Sequence, residues 1–242
     1  MMPAMDSPRP FASAALPLAA ARPPALVIFD CDGVLVDSEM LSAGVLMGMM
    51  EEAGLPITAE IFRSDFLGRS FAAAAARAEL RFGRALPHDF QMRYRERLLW
   101  KMKGELDAMD GVMDVLDALK APFCLATGSS PQRLALSLKV TGLDRYFTGK
   151  CFTASEVRHG KPAPDLFVHA AKRMEANAAD CLVIEDSEMG VRAAIAAGMM
   201  VWQFTGGAHV KAGYRLPEDV VPDHSISGMA ELKEAFSHFG LC

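Results

Sequence analysis

The sequence predicts an α/β protein: a doubly wound, Rossmann-like parallel sheet core with an inserted all-helical cap domain. Short apolar runs alternate with helical patterns through the C-terminal half of the chain, as expected for repeated βαβ units. One such apolar run, at residues 25–29, precedes a long stretch, residues 42–107, in which only helical periodicity is found. That stretch is therefore predicted to be an insertion between the first and second strands of the sheet.

The predicted strands are short and mostly apolar, which is typical of strands that are buried on both faces of a parallel sheet. They cover residues 25–29, 123–127, 151–154, 181–185 and 200–204. Helices are predicted between them, around residues 165–174 and 187–197. Pro131 suits the first turn of a further helix, with Ser129 or Ser130 as its N-cap.

The insertion at residues 42–107 is predicted to be a helical cap. Three glycines mark its helix ends or turns: Gly54, Gly68 and Gly83. Because the insertion leaves the sheet directly after the first strand, it would lie over the crevice at the strand ends and could act as a lid. The sheet core is then predicted to comprise residues 25–41 and 108–242. Residues 1–24 are predicted to be a disordered or extended N-terminal segment.

Composition argues against several classes of function. A net charge of −5 argues against a nucleic-acid-binding protein, whose binding face would be basic, but it allows a small anionic substrate. The five cysteines include no CxxC pair, so neither a disulfide framework nor a zinc site is indicated. The apolar run at residues 11–21 is interrupted by Pro17 and is too short to cross a bilayer. We expect a cytoplasmic protein without a membrane segment, and the sequence carries no indication of its oligomeric state.

Two acidic residues directly follow the first predicted strand. Asp30 and Asp32 stand one residue apart, and Gly33 lets the chain turn sharply away. Open α/β sheets bind their ligands just beyond the carboxyl ends of the strands. Neighbouring carboxylates repel each other unless a cation neutralises them. This pair therefore indicates a metal site with a carboxylate that is free to react.

Three more polar clusters follow later predicted strands, and the ends of these strands converge in a doubly wound sheet. The clusters are Thr127-Gly128-Ser129, the proline-rich loop that contains Lys161, and Glu185-Asp186-Ser187. The first offers a hydroxyl group and main-chain amides at a helix entrance, which suits a phosphate group. Carboxylates, a phosphate cradle and one ammonium group are the parts required for phosphoryl transfer with Mg²⁺.

With these motifs the chain resembles the haloacid dehalogenase superfamily, in the branch with a helical cap near β-phosphoglucomutase and small sugar-phosphate phosphatases. Four family motifs occur in order: DCDGVLVDSE, ATGSS, HGKPAPDLF and VIEDSEMGVRAA. The resemblance extends over residues 25–204. A lone DxD would be a weak signal, whereas four motifs at the family's spacing are specific.

The resemblance implies a role for each motif residue. Asp30 would be the nucleophile that forms an aspartyl-phosphate, and Asp32 would be the general acid and base. Phosphoryl oxygens would be bound by the second and third motifs: Thr127, Gly128, Ser129 and Lys161. The Mg²⁺ ligands would be Asp30, the main-chain carbonyl of Asp32, and Asp186, with Glu185 in the inner or outer coordination sphere.

The resemblance favours a phosphatase, with a β-phosphoglucomutase-like sugar-phosphate mutase as the alternative. The mutase carries a histidine shortly after its DxDG segment, and Ser42 occupies that position here. The mutase also has a cap arginine, which an ungapped comparison places further along the chain than Arg69. A catalytically silent protein that binds a phosphate ligand is a third alternative, disfavoured because Asp30 and Asp32 are both present.

Two other chemistries of the superfamily fit the sequence less well. A haloacid dehalogenase works without a metal and does not need a second acid, so Asp32 argues against it. Phosphonate hydrolysis uses a cap lysine as a Schiff base, and this chain has no lysine before Lys101.

The substrate is expected to be a small phosphorylated metabolite, and its identity stays open. The candidate specificity loop of the cap is residues 66–69. Arg69 would suit a sugar phosphate or a sugar-acid phosphate, because guanidinium groups bind phosphates and carboxylates bidentately. Gly68 and Arg69 could equally be a helix end and an exposed cation. Three arginines of the last cap helix are predicted to form a solvated face: Arg93, Arg95 and Arg97.

Overall fold

A computed structural model of the chain describes residues 22–67, 69 and 71–242. Residues 1–21 of the predicted N-terminal segment lie outside this part, as do Gly68 and Ser70. The strands are β1 (Leu26–Phe29), β2 (Phe123–Thr127), β3 (Cys151–Thr153), β4 (Cys181–Glu185), β5 (Met200–Phe204) and β6 (His224–Ile226). They form one parallel sheet in the order β3-β2-β1-β4-β5-β6. This topology confirms the predicted doubly wound core.

The predicted strand bounds agree closely with the structure, but one strand was not predicted. β2, β4 and β5 have the predicted bounds, whereas β1 starts one residue later and β3 ends one residue earlier. The missing strand is β6, which has only three residues at the edge of the sheet. It contains no apolar run, because His224 is half-buried, Ser225 is exposed and only Ile226 is buried.

Helices connect the strands and make up the segment between β1 and β2. That segment contains α1 (Glu39–Glu52), α2 (Ala59–Asp65), α3 (Phe71–Phe82), α4 (Phe90–Glu105) and α5 (Val112–Ala118). The later helices are α6 (Pro131–Thr141), α7 (Asp144–Phe147), α8 (Asp165–Arg173), α9 (Glu188–Ala196), α10 (Ala208–Lys211) and α11 (Met229–His238). Short 3₁₀ turns lie at Ala154–Glu156 and Ala178–Asp180.

The sheet has an apolar core on each face, which explains why its central strands are continuous apolar runs. In β1, Val27 and Phe29 belong to a cluster that includes side chains of α5, α6 and α11. Leu26 and Ile28 belong to a second cluster, with side chains of α8 and α9. Because all four side chains are fully buried, β1 is anchored from both sides and holds the residue that follows it in a fixed place.

The inserted segment is helical and has its own apolar cluster. Among the described residues no strand occurs between Glu39 and Glu105. Buried side chains of α1, α2 and α3 pack together there, and Val210 and Tyr214 from the region of α10 join them. The chain leaves and re-enters the core through paired segments: the Asp37 N–H donates to Asp107, and the Met109 N–H donates to Leu35.

The predicted boundary between residues 41 and 42 falls inside α1. This helix begins at Glu39 and carries Ser42 within its first two turns, so one helix belongs to both predicted segments. The division of the chain into a core at residues 25–41 and 108–242 and a cap at residues 42–107 stays a prediction.

In the described part of the chain, no helix is both long enough and apolar enough to cross a membrane. The five cysteines are free thiols. Cys181, at the start of β4, is buried, and burial raises the pKa of its thiol to about 11. It therefore stays protonated at neutral pH and behaves as a small apolar side chain.

Candidate active site

The central strands bring three of the predicted motifs to one edge of the sheet. β1 lies between β2 and β4, and Phe29 pairs with Ile184 of β4. Asp30 directly follows β1, and its main-chain N–H donates to the carbonyl of Ile184 at 3.0 Å. Thr127 is the last residue of β2 and Glu185 the last residue of β4, so both lie beside Asp30.

Lys161 reaches into this edge from the loop before α8. Its Nζ donates to Oδ1 of Asp30 at 2.6 Å and to Oε1 of Glu185 at 2.7 Å. It also donates to the carbonyl of Ala126 at 3.3 Å and lies 4.7 Å from the centre of the Phe167 ring. Burial alone would lower the pKa of Lys161, but the two carboxylates outweigh this and raise it. Lys161 is therefore a fixed positive charge at neutral pH.

Three buried carboxylates meet beside Lys161. Oxygens of Asp30, Glu185 and Asp186 all lie within 4.8 Å of one another. Burial is the main cause that raises the pKa of Asp30 and of Asp186 well above the ordinary value. Repulsion from Glu185 adds to both shifts, and the charge of Lys161 only partly opposes them. The cluster therefore carries more negative charge than its one ammonium group balances.

This donor set fits a divalent cation of the Mg²⁺ type. Mg²⁺ prefers oxygen ligands and is usually held by one or two carboxylates together with a phosphate group. Both oxygens of Glu185 already accept hydrogen bonds. Oε1 accepts from Lys161, and Oε2 accepts from both the N–H and the hydroxyl group of Ser187. Among the described residues, Oδ2 of Asp30 accepts no hydrogen bond. Asp30 and Asp186 therefore have oxygens available for a ligand.

Two glycines make room for the carboxylates. Gly33 has a φ of +80°, and a Cβ there would lie 2.0 Å from Oδ2 of Asp186. Gly190, in the first turn of α9, allows an equally close approach, because a Cβ there would lie 1.6 Å from Oε1 of Glu185. The close contact at Gly33 packs the turn after Asp32 directly against Asp186.

His209 lies against the same cluster and was not singled out from the sequence. Its Nε2 is 3.0 Å from Oδ2 of Asp186, at an angle that makes no hydrogen bond. Burial lowers the pKa of this histidine, so its ring is neutral at pH 7 and adds no positive charge to the cluster.

The carboxylate of Asp32 points to a separate set of partners. Ser38 donates to Oδ1 at 2.5 Å, Ser129 donates to Oδ2 at 2.5 Å, and Arg133 donates to Oδ1 at 2.6 Å. Burial would raise the pKa of Asp32, but the charge of Arg133 and the hydroxyl hydrogen bonds outweigh it and lower the pKa. Asp32 is thus held as a carboxylate, apart from the side chains that could bind a metal ion.

The loop after β2 has the form that its sequence suggests. Thr127 is buried, and its Oγ1 accepts from the N–H of Ser129 at 3.0 Å, which leaves the hydroxyl proton free to donate. Ser130, not Ser129, is the N-cap of α6, because its hydroxyl accepts from the N–H of Arg133. Gly128, between Thr127 and Ser129, is exposed and lies at the cavity wall. The hydroxyl group of Ser129 is therefore bonded to Asp32 instead of capping the helix.

A cavity of about 310 Å³ opens above these residues, between the sheet edge and the inserted helices. The insertion contributes apolar walls and Arg69, whose Nη2 lies 3.9 Å from Oε2 of Glu188 in α9. Arg95 is exposed, as predicted, and it also lines the cavity. Arg93 and Arg97 do lie on an exposed face, where both pair with Glu52.

The structure thus brings together every predicted site residue that belongs to the sheet core. The main group that the sequence did not reveal is Arg133. Its only sequence signal is its position three residues after the N-cap Ser130, which places it in the first turn of α6 beside the phosphate-cradle loop. Ser42, noted at first only as a difference from the mutase, contacts this arginine at 3.2 Å.

Known proteins resemble this chain in sequence and in fold. A model of the haloacid dehalogenase-like hydrolases matches residues 24–198. A 6-phosphogluconate phosphatase from Escherichia coli (strain K12) is 31% identical over 186 residues, which cover 76% of this chain and 84% of the relative. A fructose-1-phosphate phosphatase from the same organism is 29% identical over 175 residues, with 72% and 92% covered.

Solved structures show the same fold. A conserved haloacid dehalogenase-like protein of unknown function from Agrobacterium tumefaciens superimposes with a TM-score of 0.77 and 32% identity. The match covers 89% of this chain and 99% of that protein. The likeness therefore includes the inserted helices as well as the sheet.

Proposed function

This chain belongs to the haloacid dehalogenase-like hydrolase family, and on that premise we propose that it is a Mg²⁺-dependent phosphatase of a small sugar phosphate or sugar-acid phosphate. The family and its phosphatase relatives make the chain a phosphoric monoester hydrolase. The observation that carries the mechanism is the arrangement at Asp30. One of its oxygens accepts a hydrogen bond from Lys161, while the other accepts none from the described residues, and two more carboxylates lie within ligand distance.

Asp30 is the proposed nucleophile. Its free oxygen attacks the phosphorus atom and the ester P–O bond breaks, so that an aspartyl-phosphate forms. Lys161 exchanges its long hydrogen bond to Ala126 for one to a phosphoryl oxygen, and the hydroxyl proton of Thr127 and the main-chain N–H of Gly128 bind others. The N–H of Ser129 already donates to Oγ1 of Thr127 and so orients that hydroxyl group. These fixed donors stabilise the negative charge that builds up on the transferring group.

Asp32 is the proposed general acid and base. Asp32 is a carboxylate in the free protein, so it must take up a proton as the substrate binds. It then donates this proton to the leaving alkoxide oxygen, and the sugar departs as an alcohol. As a carboxylate it then accepts a proton from a water molecule, which attacks the phosphorus atom and releases phosphate from Asp30. The hydrogen bonds from Ser38, Ser129 and Arg133 stabilise the carboxylate form that this second step requires.

Mg²⁺ would be held by Asp30, Asp186 and the main-chain carbonyl of Asp32. Glu185, whose oxygens already accept hydrogen bonds from Lys161 and Ser187, would support the site from the outer coordination sphere. When bound, the ion supplies positive charge that offsets the repulsion between the carboxylates and the phosphate group.

The proposed location is the cytoplasm, which agrees with five free cysteines.

The first test is hydrolysis of an aryl phosphate with and without Mg²⁺, by the parent protein, Asp30→Asn and the control Asp110→Asn. Asp110 is an exposed acid away from the cavity. We expect metal-dependent phosphate release by the parent and the control, and none by Asp30→Asn. Release that does not depend on Mg²⁺ or on Asp30 would reject the mechanism and leave the silent binding protein as the better description.

The mutase alternative needs a separate substrate. β-Glucose 1-phosphate is offered together with a catalytic amount of glucose 1,6-bisphosphate, and both glucose 6-phosphate and free phosphate are measured. We expect phosphate to accumulate faster. Faster formation of glucose 6-phosphate would show that a sugar hydroxyl group, not water, accepts the phosphoryl group.

A further inference from the structure

Arg133 is a second cation of the cavity that the proposed chemistry does not fully use. Its Nη2 donates to Oδ1 of Asp32 at 2.6 Å, to Ser38 at 3.2 Å and to Ser42 at 3.2 Å. Within the described residues, all hydrogen bonds of its guanidinium group come from this one nitrogen. Its Nε is buried and has no hydrogen-bond partner there. The guanidinium group is thus bound through one nitrogen, and its Nε–H group has no acceptor among the described residues.

The position of Arg133 differs from that of Lys161. Lys161 is tied to the proposed nucleophile Asp30, where the phosphoryl group would bind. Arg133 is tied to Asp32, which would protonate the leaving oxygen. Arg133 therefore lies on the side of the leaving group, and it projects into the cavity from α6, a helix of the sheet core.

A matching guanidinium group comes from the inserted segment. Arg69 lines the same cavity, and its Nε is likewise buried without a hydrogen-bond partner among the described residues. Its nearest acid, Glu188, is 3.9 Å away and also pairs with Arg192 at 2.9 Å. Two arginines with unused donors thus face one cavity from different parts of the chain. Planar guanidinium donors are well suited to a second oxyanion.

We propose that Arg133 is a specificity-determining residue that binds an oxyanion on the leaving group, so that the preferred substrate carries a carboxylate or a second phosphate besides the phosphoryl group that is removed. This inference rests on the proposed phosphatase function and narrows its substrate class. Arg133 would give the substrate oxyanion donors that have no partner among the described residues, and Arg69 would bind the same group from the inserted segment.

The test compares two phosphates that differ only in the second charge. 6-Phosphogluconate has a carboxylate at C1, and sorbitol 6-phosphate has a hydroxymethyl group in its place. The ratio of their kcat/KM values is measured in the parent, Arg133→Gln and Arg133→Lys. Both substrates need the same proton from Asp32, so any effect of Arg133 on Asp32 cancels in the ratio. The matched control is Arg93→Gln, which removes an exposed arginine that pairs with Glu52 and Asp89.

We expect the parent to prefer the sugar acid by about 10- to 100-fold, as for a hydrogen bond between charged groups. Arg133→Gln should bring the ratio close to one, Arg133→Lys should retain part of the preference, and the control should retain all of it. A sugar bisphosphate measured beside the sugar acid shows whether a carboxylate or a phosphate is preferred.

Two results would overturn the inference. One is that the parent hydrolyses neither the sugar acid nor the bisphosphate better than sorbitol 6-phosphate, so that both ratios of kcat/KM are near one. The other is an equal loss for both substrates in Arg133→Gln, since that pattern means that Arg133 only orients Asp32. If none of the phosphates, including the aryl phosphate, is hydrolysed, the proposed function fails instead. The same preference is then measured as calorimetric binding of the two sugar phosphates to the parent and to Arg133→Gln. Circular dichroism confirms that each variant is folded.

Discussion

Replacing Lys161 with methionine removes the one ammonium group from the carboxylate cluster and should destabilise the metal-free protein strongly. The side chain is only 9% exposed, and its Nζ makes two short hydrogen bonds to carboxylates. Removing one partner of a buried ion pair costs about 3–5 kcal/mol, because the remaining charge is buried without compensation. In a protein of this size such a loss lowers Tm by roughly 2–4 °C for each kcal/mol. We therefore expect a decrease of roughly 6–20 °C.

The effect should depend on pH in a defined way. The folded-state pKa of Lys161 is raised, so its contribution is complete below the unfolded-state pKa of about 10.4 and is lost only as pH rises through the folded value. Between pH 6 and 9 the difference in stability should therefore stay large. It should narrow as pH falls, because burial raises the pKa of Asp30 and this carboxylate can then take up a proton instead.

Urea denaturation of the metal-free protein, followed by circular dichroism, measures this effect. Lys101→Met is the matched control, since Lys101 is a half-exposed lysine whose Nζ lies 3.1 Å from Glu105 one turn along α4. An exposed pair of this kind contributes about 0.3–0.5 kcal/mol. If Lys161→Met lowers the free energy of unfolding no more than Lys101→Met does, the cluster does not carry the charge imbalance described above.

Four further predictions concern the candidate active site. Asp186→Asn should raise the Tm of the metal-free protein and abolish its stabilisation by Mg²⁺; a metal-free Tm at or below that of the parent would contradict the repulsion. Because the pKa values of Asp30 and Asp186 are raised in the folded state, these two carboxyl groups bind more protons in the folded protein than in the unfolded chain. The stability difference between the parent and Asp186→Asn, measured by thermal unfolding without metal, should therefore shrink as pH falls from neutrality toward about 4, and a constant or growing difference would refute this. Gly33→Ala should cost at least about 1–2 kcal/mol from its positive φ and weaken Mg²⁺ binding measured by calorimetry, because the new Cβ collides with Asp186. Asp32→Ala should leave Mg²⁺ binding largely intact but slow turnover by about 10²–10⁴-fold in steady-state assays, and full activity would exclude its acid–base role.

The sheet and its motifs could be predicted from the sequence because both depend on local patterns. A strand buried on both faces must be apolar along its length; β1 is, and β2 and β4 are apolar up to their last residues, Thr127 and Glu185. Parallel strands end at a common edge, so polar residues that follow three of them must lie close together. That rule alone places Asp30, Thr127 and Glu185 as the structure has them.

The remainder depends on contacts between distant segments. The approach of Arg133 to Asp32 joins residues that are 101 positions apart, and no local pattern marks it. The strand β6 was missed because pairing with β5, not an apolar run, defines it. The place of Arg95 at the cavity depends on how α4 packs over the sheet edge, which periodicity along α4 does not reveal.

Chemical trapping of the phosphorylated enzyme tests the central claim most directly. The protein is mixed with Mg²⁺ and substrate, quenched during turnover and reduced with borohydride, which converts an aspartyl-phosphate to homoserine. Peptide mass spectrometry should find homoserine at residue 30 in the parent and at no other aspartate. Homoserine at a different position, or rapid phosphate release with residue 30 never modified, would contradict nucleophilic attack by Asp30.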